Sequence, residues 1–507
     1  MPKPPFALSR KTLAWICVLG LIASLLPLYL IAFDNRPFYD DFGFSLLTRA
    51  AWQSTGSFAA VVAAAVQNTL GIRHTWEGTY TTSFISAMQP GIWGENCYWV
   101  ATFLLLSFLL LSLWYFLRQV FTGLLRVDAA TFTILFSCLA FCMVQFVPDP
   151  SEAFFWFNGG VAYALLWSLM LLTMGVWLRF THCAGKKQRI LFFALLLLLV
   201  PAVGGGKYST VLFACLCAFL FTLWAFCRKH PLKWLHLALT LLLTFCLGVS
   251  ILAPGNAVRS ATLPAPMAPH KAIAQAFFFG LTLIAQWFSL PLVATLVLSV
   301  LLLIPFLRQS PYAFKHPAWV TALAFALFCA QLTPTLYTGN FLGDGRTLNT
   351  YFFTHVLMSL GLVLYWTGWG IRRMEAAEKP LPAFLPKNTT SPLRGKWLLA
   401  LVLVLFAGCI GFRPDGAQSF GPQNMAGGSA AISLLRGESR TYRLEMAKRE
   451  ALLNDPAIPD VTLTPISTIP RIFMSDAITG GSSLTYVTAL YAQYYQKESV
   501  TAALTGE

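Results

Sequence analysis

"LAWICVLGLIASLLPLYLIAFDNRPFYDDFGFS", residues 13–45, runs from an uncharged apolar stretch straight into two adjacent carboxylates, Asp40 and Asp41. Its first part is long enough to cross a bilayer as a helix. Acidic residues number only 20 in 507, so a pair of them set among aromatics just past a membrane span needs a physical cause.

The composition extends this reading to the whole chain. Residues are 57% hydrophobic and 11% charged, with mean hydropathy +0.65, which calls for lipid as the solvent. Eleven apolar runs read as spans, near 11–33, 98–117, 130–147, 160–180, 190–203, 209–227, 236–253, 285–307, 319–336, 350–370 and 398–411. The stretch 272–307 is too long for one span, so its first part is expected to lie at the interface. The N-terminal run reads as a retained span, because it exceeds a signal-peptide core and no small-x-small cleavage site follows.

Charge sets the expected orientation. With the N-terminus in the cytoplasm, the cytoplasmic segments carry 20 basic and 3 acidic residues and the opposite side 15 and 17, the asymmetry of the positive-inside rule. The formal net charge of +15 is then a topology signal, and it argues against a nucleic-acid partner. Most of the 11 cysteines fall inside spans, where they act as small hydrophobes, and no metal-ligand spacing is evident. The expected fold is therefore an all-α polytopic membrane protein: a transmembrane domain 1–411, with a first outer loop 34–97 bearing amphipathic helices, and a small C-terminal extracytoplasmic α/β domain 412–507. Helices are expected near 429–454 and 484–497, and Ser57 is expected to cap a helix opening at Phe58.

Candidate chemistry gathers on the outer side. A carboxylate losing hydration beside aromatics gains basicity, so Asp40 or Asp41 reads as a base; equally, the pair reads as a cap for a helix starting at Phe42. The stretch 73–99 offers Trp76, Glu77 and Tyr80, and the loop after the third span offers Glu152 and Asn158. Aromatic faces with a few polar groups suit a sugar, though an interfacial aromatic belt explains many of them. Lys207 in "GGGKYST", Arg259 in "APGNAVR" and Arg346 in "GDGR" are placed to hold phosphate oxygens or to anchor at the headgroups.

"YDDFGF" after a first span resembles the GT-C superfamily of polytopic glycosyltransferases. Together with "WEGTY…QPGIWGE", "LAPGNAVR" and the tail's "IPRIFMSDAITGG…YAQYY", it is similar to an uncharacterised bacterial family of that type. The resemblance implies a multi-pass protein of the bacterial inner membrane that moves a sugar from a polyprenyl-phosphate donor to a cell-envelope glycan or lipid acceptor. It puts the catalytic base on Asp40 with Asp41 beside it, and the donor phosphate against Arg259 with help from Lys207 or Arg346. It implies no fixed cofactor: some relatives use a divalent metal and others do not. A lipid-linked-sugar flippase or transporter and a non-catalytic envelope assembly protein remain as alternatives.

Overall fold

The computed structural model describes residues 9–263, 265–380, 400–403, 405–406, 410–412, 418–420, 424–476 and 484–503. Helix α1 (Arg10–Ile31) precedes four short helices over the first loop: α2 (Asp40–Phe44), α3 (Leu46–Thr55), α4 (Phe58–Thr75) and α5 (Tyr80–Ser86). Then come α6 (Trp99–Arg118), α7 (Ala129–Gln145), the single turn α8 (Phe157–Gly160), α9 (Leu166–His182), α10 (Lys186–Gly204), α11 (Tyr208–Cys227) and α12 (Lys233–Ile251). Short α13 (Pro254–Thr262) leads to α14 (Pro269–Trp287), α15 (Leu290–Gln309), α16 (Pro317–Gly339) and α17 (Gly345–Ala376). The tail adds α18 (Ala426–Leu435), α19 (Glu438–Asn454) and α20 (Leu484–Tyr495). Two minimal sheets complete it, an antiparallel pair β1 (Ile410–Phe412) and β2 (Gln418–Phe420), and a parallel pair β3 (Asp460–Leu463) and β4 (Ser499–Ala502).

Among the described residues, nine helices are long and apolar enough to cross a membrane. The chain is an all-α, multi-pass membrane protein in character. The expected count of eleven differs at two places. The third expected span is the 17-residue α7, shorter than the others and walled by α1 and α15. The eleventh, 398–411, lies partly outside the described residues. Within it, 400–403 and 405–406 are helical, and the Phe406 ring packs on Gly20 of α1 and on Phe141 of α7.

The long stretch 272–307 breaks at Phe288–Ser289 into two helices. At the start of α14, the Met267 amide donates to the Tyr337 carbonyl near the end of α16. Its other end, Trp287, rests on Phe352 and His355 of α17. Helix α15 then starts beside α7, where the Cys142 Sγ meets Thr295 Oγ1 at 3.1 Å. Helix α14 packs lengthwise along α16, with Gly280 against Phe325 and Cys329, and it is not among the described helices apolar enough to count as a span. Ser289 caps α15 by accepting from the Leu292 amide, a bond that satisfies one of the orphan donors at a helix start.

The first-loop helices form as expected from their patterning. Ser57 caps α4 by accepting from the Ala60 amide, while Phe58, Val66 and Leu70 remain exposed along that helix. Exposed apolar residues on a helix that is not apolar enough to be counted among the spans are those of an interfacial element.

The boundary expected at residue 412 is not where the tail leaves the bundle. Helix α18 is apolar and packs along α1. The Gly427 amide donates to the Gln145 Oε1 at 2.7 Å, and the Gln145 Nε2 donates to the Ser24 carbonyl at 3.2 Å. Ser24 is one turn along α1 from Gly20, so α18 continues along α1 from where Phe406 stops. A Cβ on Gly427 would lie 2.1 Å from the Ser24 carbonyl oxygen. Only glycine permits that approach, because the obstacle is backbone and cannot swing aside.

Overpacking a close contact costs about 1–3 kcal/mol. Gly427→Leu should therefore lower the apparent melting temperature of the detergent-solubilised protein and detach α18 from α1, read as new protease cleavage after residue 424. Gly71→Ala, on α4 with open space around it, should instead leave the melting temperature unchanged or raise it. Equal behaviour of the two variants would contradict the packing.

Candidate functional site

The site is built around the two carboxylates, which point in different directions. Asp41 is fully buried. Its Oδ1 accepts from the Asn158 amide at 2.9 Å, and its Oδ2 accepts from the Phe38 amide at 3.0 Å and from the Tyr98 hydroxyl. The Tyr98 oxygen in turn accepts from the Phe157 amide at 2.9 Å. Three separate segments, 38–41, 98 and 157–158, are stapled by one side chain. The last belongs to a stretch wound as two π-helical turns, Ser151–Phe155 and Val161–Leu165, an irregularity common at functional sites.

This corrects the reading of the pair as a cap at Phe42 and removes Asp41 from the candidate bases. Helix α2 starts at Asp40, not at Phe42, and Asp41 accepts from an amide that precedes the helix. Neither aspartate caps in the ordinary way, and Asp41 has no face left for a substrate. Asp40, one residue earlier, diverges from it by about 100° on the helix and reaches a different set of neighbours. Burial pushes its carboxyl above the ordinary range; the fields of Arg346, Lys207 and Arg259 oppose this, and that of Glu77 adds to it. The expected donor-phosphate residues thus come together, from three distant segments, around the expected base.

Lys207 and Arg259 are not free cations, however. Both meet Glu77, a buried carboxylate: the Lys207 Nζ lies 2.7 Å from each Glu77 oxygen, and the Arg259 Nη1 2.7 Å from Oε2. The Thr79 hydroxyl donates to Oε1 at 2.6 Å. Burial alone would raise the Glu77 pKa, but the two cations outweigh it and hold the carboxyl below its usual range. One carboxylate against two cations leaves the triad with a net positive charge. That charge is presented on the Arg259 side, whose guanidinium is 38% exposed and stacks 5.0 Å from the Trp76 ring.

The triad exists because two loops touch backbone to backbone. A Cβ on Gly78 would lie 1.9 Å from the Ser250 carbonyl oxygen. The Gly78 amide donates to Asn256 Oδ1, and Asn256 Nδ2 donates to the Ser250 and Ile251 carbonyls. The glycine-rich 204–206 serves the same docking, since the Thr81 amide donates to the Gly205 carbonyl. Lys207 follows at the N-cap position of α11.

Arg346 has its own setting. Its backbone amide donates to Glu152 Oε2 at 2.5 Å, its Nη2 pairs with Asp344 at 2.8 Å, and its guanidinium lies 4.9 Å from the Trp156 ring. Burial raises the Glu152 pKa, partly offset by Arg346.

The residues expected to bind sugar divide. Trp76 is 41% exposed and Glu152 half-buried, and both lie at the rim. Glu77, Tyr80 and Asn158 form the frame instead. Glu77 is the counterion of the triad. The Tyr80 hydroxyl donates to the Pro201 carbonyl at 2.6 Å, and Asn158 Oδ1 accepts from Ser86 at 2.7 Å. The polar atoms of Glu77 and Tyr80, and the side-chain oxygen of Asn158, are spent on the protein. Among the described residues, no group of three or more His, Cys, Asp or Glu could hold a metal ion.

Sequence reasoning missed the tail's share of the site. Phe42 is buried among Tyr491, Tyr494 and Tyr495 of α20, with ring centroids at 4.6, 4.9 and 6.1 Å. Arg49 lies 4.2 Å from the Tyr494 ring and donates to Asn454 Oδ1. Arg36 is buried and pairs with Glu450 at 2.6 Å, and Arg443 pairs with Asp34 at 3.1 Å. No local signal in the first loop pointed to the tail, since its three arginines are outnumbered there by five acidic residues. Comparison with known protein families, characterised proteins and solved structures returns no match.

Asp41 yields a pH prediction. Burial raises its carboxyl to about 7 in the folded protein, against an unfolded value near 3.9. A raised folded pKa favours the protonated form, so this stabilisation is full below about pH 4, falls progressively as pH rises because the unfolded carboxyl ionises first, and is gone once pH has passed about 7. Thermal unfolding in detergent should show the wild type losing stability between about pH 4 and 7. Asp41→Asn, which carries no proton to lose, should show a flatter profile over that range. Parallel profiles would mean that the three donors hold Asp41 ionised throughout.

Proposed function

We propose that this protein is an inverting membrane glycosyltransferase that moves a sugar from a polyprenyl-phosphate donor to a cell-envelope glycan or lipid acceptor, at the extracytoplasmic face of the bacterial inner membrane. The observation that carries the reading is the placement of Asp40: a partly dehydrated carboxylate, raised in pKa, at the end of a membrane bundle where Arg346, Lys207 and Arg259 converge. A base needs a pKa moved toward the working pH, and a phosphate leaving group needs cations already in position.

An apolar cavity supports the donor side. It has a volume of about 260 Å³ and lies between helices of the bundle, lined by Met170, Trp177, Val203, Ala218, Phe221 and Leu243 among others. Val203 lies in the last turn of α10, four residues before Lys207 at the N-cap of α11, so a lipid tail in this slot would lead its phosphate toward the triad. Arg259 receives the phosphate on its exposed edge, while Glu77 keeps Lys207 and Arg259 in place. Asp40 accepts the proton of an acceptor hydroxyl as that oxygen attacks the anomeric carbon. The bond from that carbon to the phosphate oxygen breaks, and the phosphate leaves with the electron pair. The charge asymmetry of the loops, with basic residues concentrated at the opposite end of the bundle, supports the orientation.

Inner-membrane vesicles given radiolabelled polyprenyl-phosphate sugars and candidate acceptors test the reaction. Asp40→Asn should lower transfer by roughly 10²–10⁴-fold with normal membrane content, since that is the range a general base supplies. Turnover near wild type in that variant would return Asp40 to a structural role.

Arg259 tests the donor side separately. Losing hydrogen bonds to a charged group costs about 1.5–3 kcal/mol, so Arg259→Ala should raise the donor KM by roughly tenfold to a hundredfold and leave the acceptor KM nearly unchanged. Arg259→Lys keeps the charge but not the fork, and should recover part of the loss. An unchanged donor KM in both variants would move the phosphate to Arg346.

A further inference from the structure

We propose that the indole N–H of Trp156, with the carboxylates of Glu152 and Asp344 gathered around Arg346, forms a subsite for the hydroxyl groups of a sugar ring. The inference rests on the transferase reading for the molecule that carries the sugar, and it names where that sugar is held.

Trp156 is the extended residue, at φ −102° and ψ 113°, between the π-helical turn Ser151–Phe155 and the single turn α8. Its own amide donates to the Ser151 carbonyl at 2.9 Å, and the next two amides, of Phe157 and Asn158, belong to the Asp41 staple. The backbone that carries the indole is therefore held on both sides. The ring itself is fixed by Gly159, where a Cβ would lie 2.5 Å from the indole Cε3 and 3.0 Å from Cζ3. Those atoms form the edge of the indole opposite Nε1, so the N–H is turned away from α8. The Phe38 ring crosses the indole at a right angle, with centroids 5.8 Å apart.

Trp156 is buried, yet its indole N–H has no hydrogen-bond partner in the protein. An indole nitrogen can only donate, and a buried donor left unmet is costly, so native folds keep few of them. What meets this one has to bring an acceptor oxygen. An aromatic anchor at a membrane surface would instead keep its N–H among headgroups and water. Arg346 covers the ring, with its guanidinium carbon 4.9 Å from the ring centroid and its side chain 26% exposed. The same guanidinium pairs with Asp344 at 2.8 Å and lies 3.9 Å from Glu152.

The charges decide the class of ligand. One cation against two carboxylates leaves no surplus positive charge here, in contrast to the Glu77 triad, so a phosphate is better held at Arg259. A neutral hydroxyl suits all of these groups. Its oxygen accepts from the indole N–H or the guanidinium, and its O–H donates to a carboxylate. Glu152 is half-buried and Asp344 exposed, so both are within reach of an incoming molecule. A sugar ring carries several such hydroxyls at fixed spacing, whether it arrives on the donor lipid or on the acceptor. It enters by pushing the Arg346 guanidinium aside, since the partner Asp344 is exposed and follows it outward.

The test uses the full chain in detergent, isotope-labelled at the indole nitrogens of its tryptophans and followed by NMR. The Trp156 resonance is assigned by its absence from Trp156→Phe. Polyprenyl-phosphate glucose, mannose and galactose are the donor probes, the methyl glycosides of the same sugars are the acceptor probes, and bare polyprenyl phosphate is the control. At least one sugar probe should move the Trp156 indole proton downfield, as an N–H does on gaining an acceptor, and the control should not. The set of probes that moves it assigns the subsite to donor or to acceptor. In Trp156→Phe, which keeps a ring beneath Arg346, affinity for that probe should fall by roughly twofold to tenfold, while affinity for bare polyprenyl phosphate stays the same. A resonance unmoved by every sugar probe would overturn the subsite and leave the N–H against the face of Phe38, and an equal shift with the control would overturn it in favour of a phosphate. Should vesicles transfer no sugar while a sugar probe still moves the resonance, the transferase reading fails and the sugar subsite stands.

Discussion

A carboxylate wholly removed from water has to be met by donors, and the Asp41 side chain collects its donors from three separate parts of the chain. An unmet buried charge would cost several kcal/mol. The loop after α1, the start of α6 and the irregular segment before α9 therefore cannot separate without exposing or orphaning Asp41. That requirement also fixes Asp40. Adjacent residues on one helical turn cannot face the same way, so holding Asp41 inward turns Asp40 toward the basin. The paired acids divide the work, one building the scaffold and the other facing outward.

A second buried carboxylate organises the other half of the basin by the same physics. Glu77 holds Lys207 and Arg259 at 2.7 Å, and the backbone contact at Gly78 brings their loops within reach. An ion pair of this kind is weak as a source of net stability, since desolvation offsets much of its attraction. Its consequence is positional. Two cations that would repel each other are held on one side of an apolar bundle, and the surplus charge is directed to the half-exposed Arg259.

The tail is part of this arrangement and not an appendage. Arg36 and Arg49 are buried arginines in the first loop, and the tail meets them with Glu450, Asn454 and Tyr494. A desolvated cation over an aromatic face contributes about 2 kcal/mol, and burying a phenylalanine such as Phe42 contributes about 1.5–3 kcal/mol. These contacts hold α20 over α2, with Leu490 against Gly43 and Phe42 among the tyrosines of α20. Helix α18 anchors the same tail lower down, along α1.

The sequence by itself determined what depends on local sums. Hydrophobicity accumulates along consecutive residues, so the membrane helices from α1 to α17 were legible within a few residues. So were the Ser57 cap and the last helix, because caps and periodicity act within one or two turns; the single helix expected near 429–454 is instead two, α18 and α19, broken at Arg436–Gly437 where Gly437 takes φ 74°. Clustering of acids, aromatics and three cations at one end of the bundle was legible too, since topology follows from charge and hydropathy alone. The tertiary structure decided everything that depends on partner choice. Asp40 and Asp41 are indistinguishable as neighbours in a string, and only the donors from Tyr98 and Asn158 make one of them internal. Glu77 and Tyr80 read as surface groups until Lys207, Arg259 and the Pro201 carbonyl, all more than a hundred residues away in sequence, claimed their polar atoms. The run 398–411 followed by an apolar α18 reads as one span and a separate domain, because no local signal says that a glycine at 427 will sit against the backbone of α1. Hydrogen bonds and ion pairs are short-ranged in space and indifferent to separation along the chain, so their choice of partner becomes visible only once the chain has folded.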